Sequence, residues 1–226
     1  MKNKNYLTLK KFCLNLDIDL FGVADVGVIK QEFALSQGAL DKIDKAISLG
    51  IRLSSGVLAE IHDAPTRLYF QHYRTVNAFL DQAALKVCNY IEKRGFLCIP
   101  IPASQIVDWE NQKGHLSHKK IGYLAGLGWI GRNNLLVNAE LGSKFRLVSL
   151  LTDMPLKTDS PVKDDCRECR ECIYACPAGA IGGTKMDFNH QKCFAKLKDF
   201  QRQRLVDQYI CGVCVHACIG KVRNIK

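Results

Sequence analysis

The chain has 226 residues, 47% of them hydrophobic, with a formal net charge of +10, enough to bury a core in one large or two small domains. No apolar run reaches the roughly eighteen residues a membrane helix needs, because Asp17, Asp19 and Asp25 interrupt Leu14 to Ile29. The basic start, Met1 to Lys4, leads into neither an apolar secretory core nor a small-residue cleavage site, so a cytoplasmic protein is expected.

In chain order, residues 6–16 read as a helix and 18–26 as a segment containing the strand-like Leu20-Phe-Gly-Val-Ala. A second helix is expected over much of 31–47, with a short extended piece at 51–53. The clearest helix runs from Thr66 to Arg94, where Tyr73, Val76, Leu80, Ala84, Val87 and Ile91 recur every three or four residues and Gly95 stops the pattern. Its stripe, Cys88 included, is core packing; Cys13 and Cys98 read equally as small hydrophobes. Residues 96–101 form a buried strand, Ser117 caps a helix through Leu127, and 135–137 and 145–151 are further strands. This α/β pattern closes at a polar connector, Asp153 to Pro161. The expected domains are therefore 1–154 and 155–226.

Eight of the eleven cysteines fall after the connector. In a secreted mini-protein such density would mean disulfides, but the two-residue gaps between thiols fit metal ligation better. The segment holds too few apolar residues to fold without a metal. Cys166-x2-Cys169-x2-Cys172-x3-Cys176-Pro177 is the run of bacterial two-cluster ferredoxins. Three thiolates at such gaps reach three irons of one cubane, and the turn before Pro177 carries the fourth to the other cluster. Cys193 and then Cys211-x2-Cys214-x3-Cys218 form the second set, with Ile219 where a proline would complete the pattern. Two 4Fe-4S clusters are expected: Cys166, Cys169, Cys172 and Cys218 on one; Cys176, Cys193, Cys211 and Cys214 on the other. The alternative is a pair of zinc sites, for which the third closely spaced cysteine is surplus. Two clusters would lower the working charge to about +6, so an anionic partner or a solvated lysine-rich surface are both open readings.

Residues 125–136, Ala-Gly-Leu-Gly-Trp-Ile-Gly-Arg-Asn-Asn-Leu-Leu, then Gly142-Ser-Lys-Phe-Arg-Leu147 and the two cysteine sets, resemble the epoxyqueuosine reductase family and its relatives the reductive dehalogenases, from about Leu20 to Cys218. The resemblance implies an α+β protein: a nitroreductase-like α/β domain followed by a ferredoxin-like domain with two clusters. It implies an oxidoreductase that takes electrons from an external low-potential donor and passes them through the clusters to a base-off cobalamin, which reduces an electrophilic substrate, with a place in tRNA queuosine modification. Gly126, Gly128, Trp129, Gly131 and Asn133 would then contact cobalamin, the glycines letting backbone approach a flat ligand. Without the resemblance, these glycines read as a turn with a tight helix–strand contact.

Family members carry an acidic proton donor some fourteen residues before the glycine segment; Gln112 stands there, and an amide cannot do that work. His115, His118 and Tyr123 are the nearby titratable candidates. Longer members grip tRNA with C-terminal helical repeats, whereas this chain ends eight residues after Cys218. Lys196, Lys198, Arg202, Arg204, Lys221 and Arg223 would serve instead as phosphate contacts, with salt-sensitive binding. The chain is expected to act as a monomer. Two other functions compete: an electron-transfer protein without substrate chemistry of its own, and an RNA-binding protein with structural clusters.

Overall fold

A computed structural model describes residues 1–220; Lys221 and Arg223 lie outside them. No helix of the described residues is long and apolar enough to cross a membrane.

The fold mixes helices with two sheets, of four and two strands. Helix α1 (Lys2–Leu14) buries Tyr6, Leu9 and Cys13, a three-and-four spacing that presents one face to strand β1 (Leu20–Asp25). β1 pairs antiparallel with β2 (Lys45–Arg52), Val23 opposite Ile47 and Asp25 opposite Lys45. Burial works against the Lys45 ammonium, but Asp44 at 2.7 Å and Asp25 at 3.2 Å outweigh it and hold its pKa above the ordinary lysine value.

The helix expected over 31–47 is absent. A short 3-10 turn (Lys30–Glu32) and a four-residue helix, α2 (Gln37–Leu40), occupy its first part, and β2 takes the rest. Ala46, Ile47, Ser48 and Leu49 are buried on both sides of this inner strand, so no alternating pattern announces it.

Helices α3 (Ser55–Ala59) and α4 (Arg67–Glu92) follow, then β3 (Cys98–Ile101), α5 (His118–Leu124), β4 (Trp129–Ile130), β5 (Leu136–Val137) and β6 (Phe145–Thr152). The four-stranded sheet runs β1-β2-β6-β3, with β3 antiparallel to β6. Pro100 is tolerated because β3 is an edge strand. Helix α5 packs on β1, where Gly22 lies against the Ala125 carbonyl too closely for any Cβ. After β6 come α6 (Glu171–Ala175), a 3-10 turn (Lys185–Asp187), α7 (His190–Arg202) and α8 (Val213–His216).

The chain divides into two compact units, and these differ from the two consecutive segments expected. One comprises 1–51, 76–127 and 146–162; the other comprises 52–75, 128–145 and 163 onward. The cysteine-rich stretch borrows apolar wall from earlier sequence: α8 packs on α3 as well as α6, and Gly212, just before α8, sits against the Tyr69 ring. A segment this poor in apolar side chains cannot build a core alone.

Candidate functional site: the thiol groups and the glycine segment

In the cysteine-bearing unit, the turn at Cys166 closes with the Cys169 amide donating to the Cys166 carbonyl at 2.9 Å. α6 then turns Cys172 inward, and Cys176 leaves that helix in an extended conformation. Cys193 lies in the first turn of α7, whose N-terminus is capped by the Asn189 side chain accepting from the Lys192 amide. Cys214 lies on α8, with Cys211 and Cys218 flanking that helix.

Electrostatic neighbours sort the eight thiols. Cys172 feels Cys218, Cys166 and Cys169; Cys211 feels Cys193 and Cys176; Cys193 feels Cys176. Cys214 feels Cys211 and Cys193 first, then Cys172 and Cys176. The last cysteine of each motif thus falls among the thiols of the other. Burial, with these neighbours adding to it, pushes Cys172 up to about 12 and Cys211 up to about 11, and raises Cys214 well above an ordinary thiol. Such thiols stay protonated at neutral pH unless a metal displaces the proton.

The donor set fits iron–sulfur clusters. A cubane asks for four thiolates, each on its own iron, and eight thiols serve two such sets. Amide and indole donors are in place for negative sulfur: the Trp129 Nε1–H donates to Cys166 Sγ at 3.4 Å, and the Ala180 amide to Cys176 Sγ at 3.4 Å.

The glycine segment is spent on this loop. A Cβ on Gly128 would strike the Val137 carbonyl, and one on Gly131 would meet Val137 Cγ2 at 2.6 Å and Cys166 Sγ at 3.4 Å. Trp129 pairs with Val137 through its backbone and reaches Cys166 through its indole. Asn133 is buried, its Nδ2 donating to Ser143 Oγ and its Oδ1 accepting from the Leu135 amide. In the other unit, Gly126 has φ +71 and lies against the Ser160 carbonyl, which an added Cβ would meet at 2.7 Å. At each of these five positions the side chain, or its absence, has a contact within the chain itself.

Arg132 was not singled out from sequence. Its guanidinium donates to the carbonyls of Gly183, Cys169 and Arg167, tying the cysteine loop in three places. Its signal was there: one cation inside an otherwise apolar and glycine-rich run.

In the sheet-bearing unit the three proton-donor candidates differ. His118 Nε2 donates to the Pro102 carbonyl at 2.9 Å, so its Nδ1 accepts from Ser149 Oγ–H at 2.8 Å, and both ring nitrogens are engaged. Burial, aided by the nearby Arg146 charge, pushes His118 down to about 4 against the pull of the Pro102 bond. The unfolded chain binds that proton below pH 6.5 and the folded one does not until about 4. Stability is therefore full above pH 6.5 and falls by up to roughly 3 kcal/mol as pH drops toward 4. Denaturant melts of wild type and His118→Gln at both ends of this range check this: the substitution should flatten the pH dependence, and an unchanged slope would rule His118 out as its source.

His115 Nδ1 donates to the Ala34 carbonyl at 2.9 Å, and the Ala34 amide returns a bond to the His115 carbonyl. Tyr123, half-buried on α5, accepts from the Gly126 amide through its carbonyl. Gln112 occupies a left-handed position, φ +53, in a turn closed by Asp108 and Lys113. That turn holds carboxylates which sequence reasoning passed over. Asp108 accepts from the Asn111 amide and side chain, bonds that hold it below the usual carboxylate range and hence ionised at neutral pH.

No protein-family model matches the chain. Curated epoxyqueuosine reductases do. The one from Cyclobacterium marinum is 26% identical over 95% of this chain and 78% of its own length. That from Leadbetterella byssophila is 34% identical over 42% of this chain and only 33% of its own; the match thus spans about a third of that relative. Among solved structures, an epoxyqueuosine reductase from Streptococcus thermophilus superposes with TM-score 0.66 at 19% identity, covering 100% of this chain and 69% of that one. A reductive dehalogenase described with a mechanism for B12-dependent dehalogenation gives 0.77 at 17%, covering 96% and 32%. An epoxyqueuosine reductase bound to an epoxyqueuosine-modified tRNA stem loop gives 0.63 at 18%, covering 93% and 64%. The resemblance to epoxyqueuosine reductases holds in sequence and in fold, and that to reductive dehalogenases in fold.

Proposed function

We propose that the chain is an iron–sulfur reductase of the epoxyqueuosine reductase kind, holding one 4Fe-4S cluster on Cys166, Cys169, Cys172 and Cys218 and another on Cys176, Cys193, Cys211 and Cys214. The observation that supports this reading is the company of the thiols: Cys172 feels Cys218, Cys166 and Cys169, while Cys211 feels Cys193 and Cys176. Bound there, the clusters would supply one-electron transfer from an external low-potential donor toward an electrophilic substrate. The chain's own part is to hold and shield them. Buried Cys172 and half-buried Cys214 limit access of water, the Trp129 and Ala180 donors stabilise charge on sulfur, and Arg132 fixes the loop.

For the proton, we favour His115: Nδ1 is tied to Ala34, which sets the tautomer and leaves Nε2 to exchange. His118 has both nitrogens in use. A tRNA substrate and a cobalamin acceptor come from the relatives, and the B12-dependent dehalogenase and the tRNA stem-loop complex support them. The glycine segment, which the resemblance makes the cobalamin contact, packs on the chain itself.

That same packing favours a second reading, an electron carrier without substrate chemistry of its own. Anaerobic purification with and without added cobalamin, followed by iron, sulfide, cobalt and zinc analysis on one sample, separates these outcomes. About eight irons and eight sulfides per chain are expected; zinc without sulfide would end the cluster reading, and clusters cycling with no cobalt and no substrate consumed would mark the carrier.

A further inference from the structure

We propose that the cationic face of α7 docks an acidic one-electron carrier protein, which delivers its electron to the cluster that Cys193 helps to hold; this rests on the cluster reading above. The helix carries Lys192, Lys196, Lys198 and Arg202, and Arg204 follows it. Its one carboxylate, Asp199, is paired with Arg202 at 3.3 Å, so nothing on the helix offsets the other cations. Cys193 sits on this helix, three residues before Lys196 and therefore beside it, and the Lys196 charge also reaches Cys211. One ligand of the proposed cluster, Cys193, thus lies on the helix that carries the cations, and a second, Cys211, lies within reach of the Lys196 charge.

Single-stranded nucleic acid fits this face less well. Single-stranded bases need open aromatic rings to stack on, and these rings are covered. Phe194 stands edge-on to Tyr209 with centroids 5.1 Å apart, and Lys198 lies over its face at 4.4 Å. Phe200 is buried beneath Lys196 at 5.4 Å. What the face offers is charge, which steers an oppositely charged protein. The step balances simply: the carrier loses one electron, the cluster gains it, and no proton or bond changes place.

Stopped-flow reduction of the cluster-loaded protein under argon tests this, with a reduced acidic 2Fe-2S ferredoxin as donor and dithionite as control. The variant Lys192→Gln, Lys198→Gln, Arg202→Gln should slow reduction by ferredoxin about tenfold at low salt and flatten its salt dependence. Dithionite reduction, iron and sulfide should not change. A charge-keeping variant, Lys192→Arg, Lys198→Arg, Arg202→Lys, should react like wild type. An unchanged ferredoxin rate in the neutralised variant would overturn the proposal. If that variant instead lost affinity for an RNA hairpin, the face would belong to nucleic acid. Wild type without iron and sulfide would remove the cluster reading and this proposal together, a result distinct from intact clusters with an unchanged rate.

Discussion

Replacing Cys176 by serine is expected to abolish one cluster and spare the other, and the one lost is not the one its own motif encircles. Cys176 leaves α6 in an extended conformation and falls among Cys193, Cys211 and Cys214, ahead of Pro177. Iron and sulfide should drop by about half, to roughly four of each per chain. Alkylation under native conditions followed by peptide mapping identifies the cluster that remains. Cys193, Cys211 and Cys214 should become reactive while Cys166, Cys169, Cys172 and Cys218 stay protected. The converse substitution, Cys218→Ser, should expose Cys166, Cys169 and Cys172. A Cys176→Ser protein with its first motif exposed and its second protected would overturn the interleaved assignment. Serine conserves volume but is a poor ligand for iron, so the loss reports ligation more than packing.

How much of this was legible in the sequence depends on the kind of signal. The long stripe from Tyr73 to Ile91 and the cap at Ser117 were readable because helical periodicity and capping are local, and α4 and α5 stand where they were expected. The interleaving of thiols is an expectation from spacing, which a cubane constrains tightly. β2 was not: Ala46 to Leu49 are buried on both faces, and only the flanking β1 and β6 make that stretch a strand. The compact units escaped for a similar reason. Residues 52–75 and 128–145 give no sign of their partners until the tertiary structure brings Leu53 to Lys144 and Trp129 to Cys166.

The glycine segment shows how one motif can carry two readings in sequence. Glycines that admit a flat ligand and glycines that admit the chain's own backbone look alike in sequence. Here Val137 and Cys166 fill the space at Gly128 and Gly131, and the segment supports the cysteine loop.

Loss of that support should be severe in Arg132→Ala. The loop it ties is held in an unfavourable conformation: Arg167 has φ +44, a left-handed backbone that costs a non-glycine residue about 1 kcal/mol or more. Two things oppose that cost: the Arg167 amide donates to Asp165 Oδ1 at 2.7 Å, and the Arg167 carbonyl accepts from Arg132. The same guanidinium holds Cys169 and Gly183. Charge-assisted bonds of this kind contribute about 1.5–3 kcal/mol each when shielded. Two of these three are exposed, so a combined loss of about 2–4 kcal/mol is reasonable. The readout is the rate at which a ferrous chelator strips iron from the anaerobic protein. It should rise at least about tenfold in Arg132→Ala, with Cys166 and Cys169 the first thiols to become alkylatable. Arg132→Lys should recover only part of the difference, since a single ammonium cannot span three separated carbonyls as a planar fork does. Equal stripping rates in all three proteins would mean that the loop holds its shape unaided, and that Arg132 is a solvated cation whose contacts add nothing to the retention of iron.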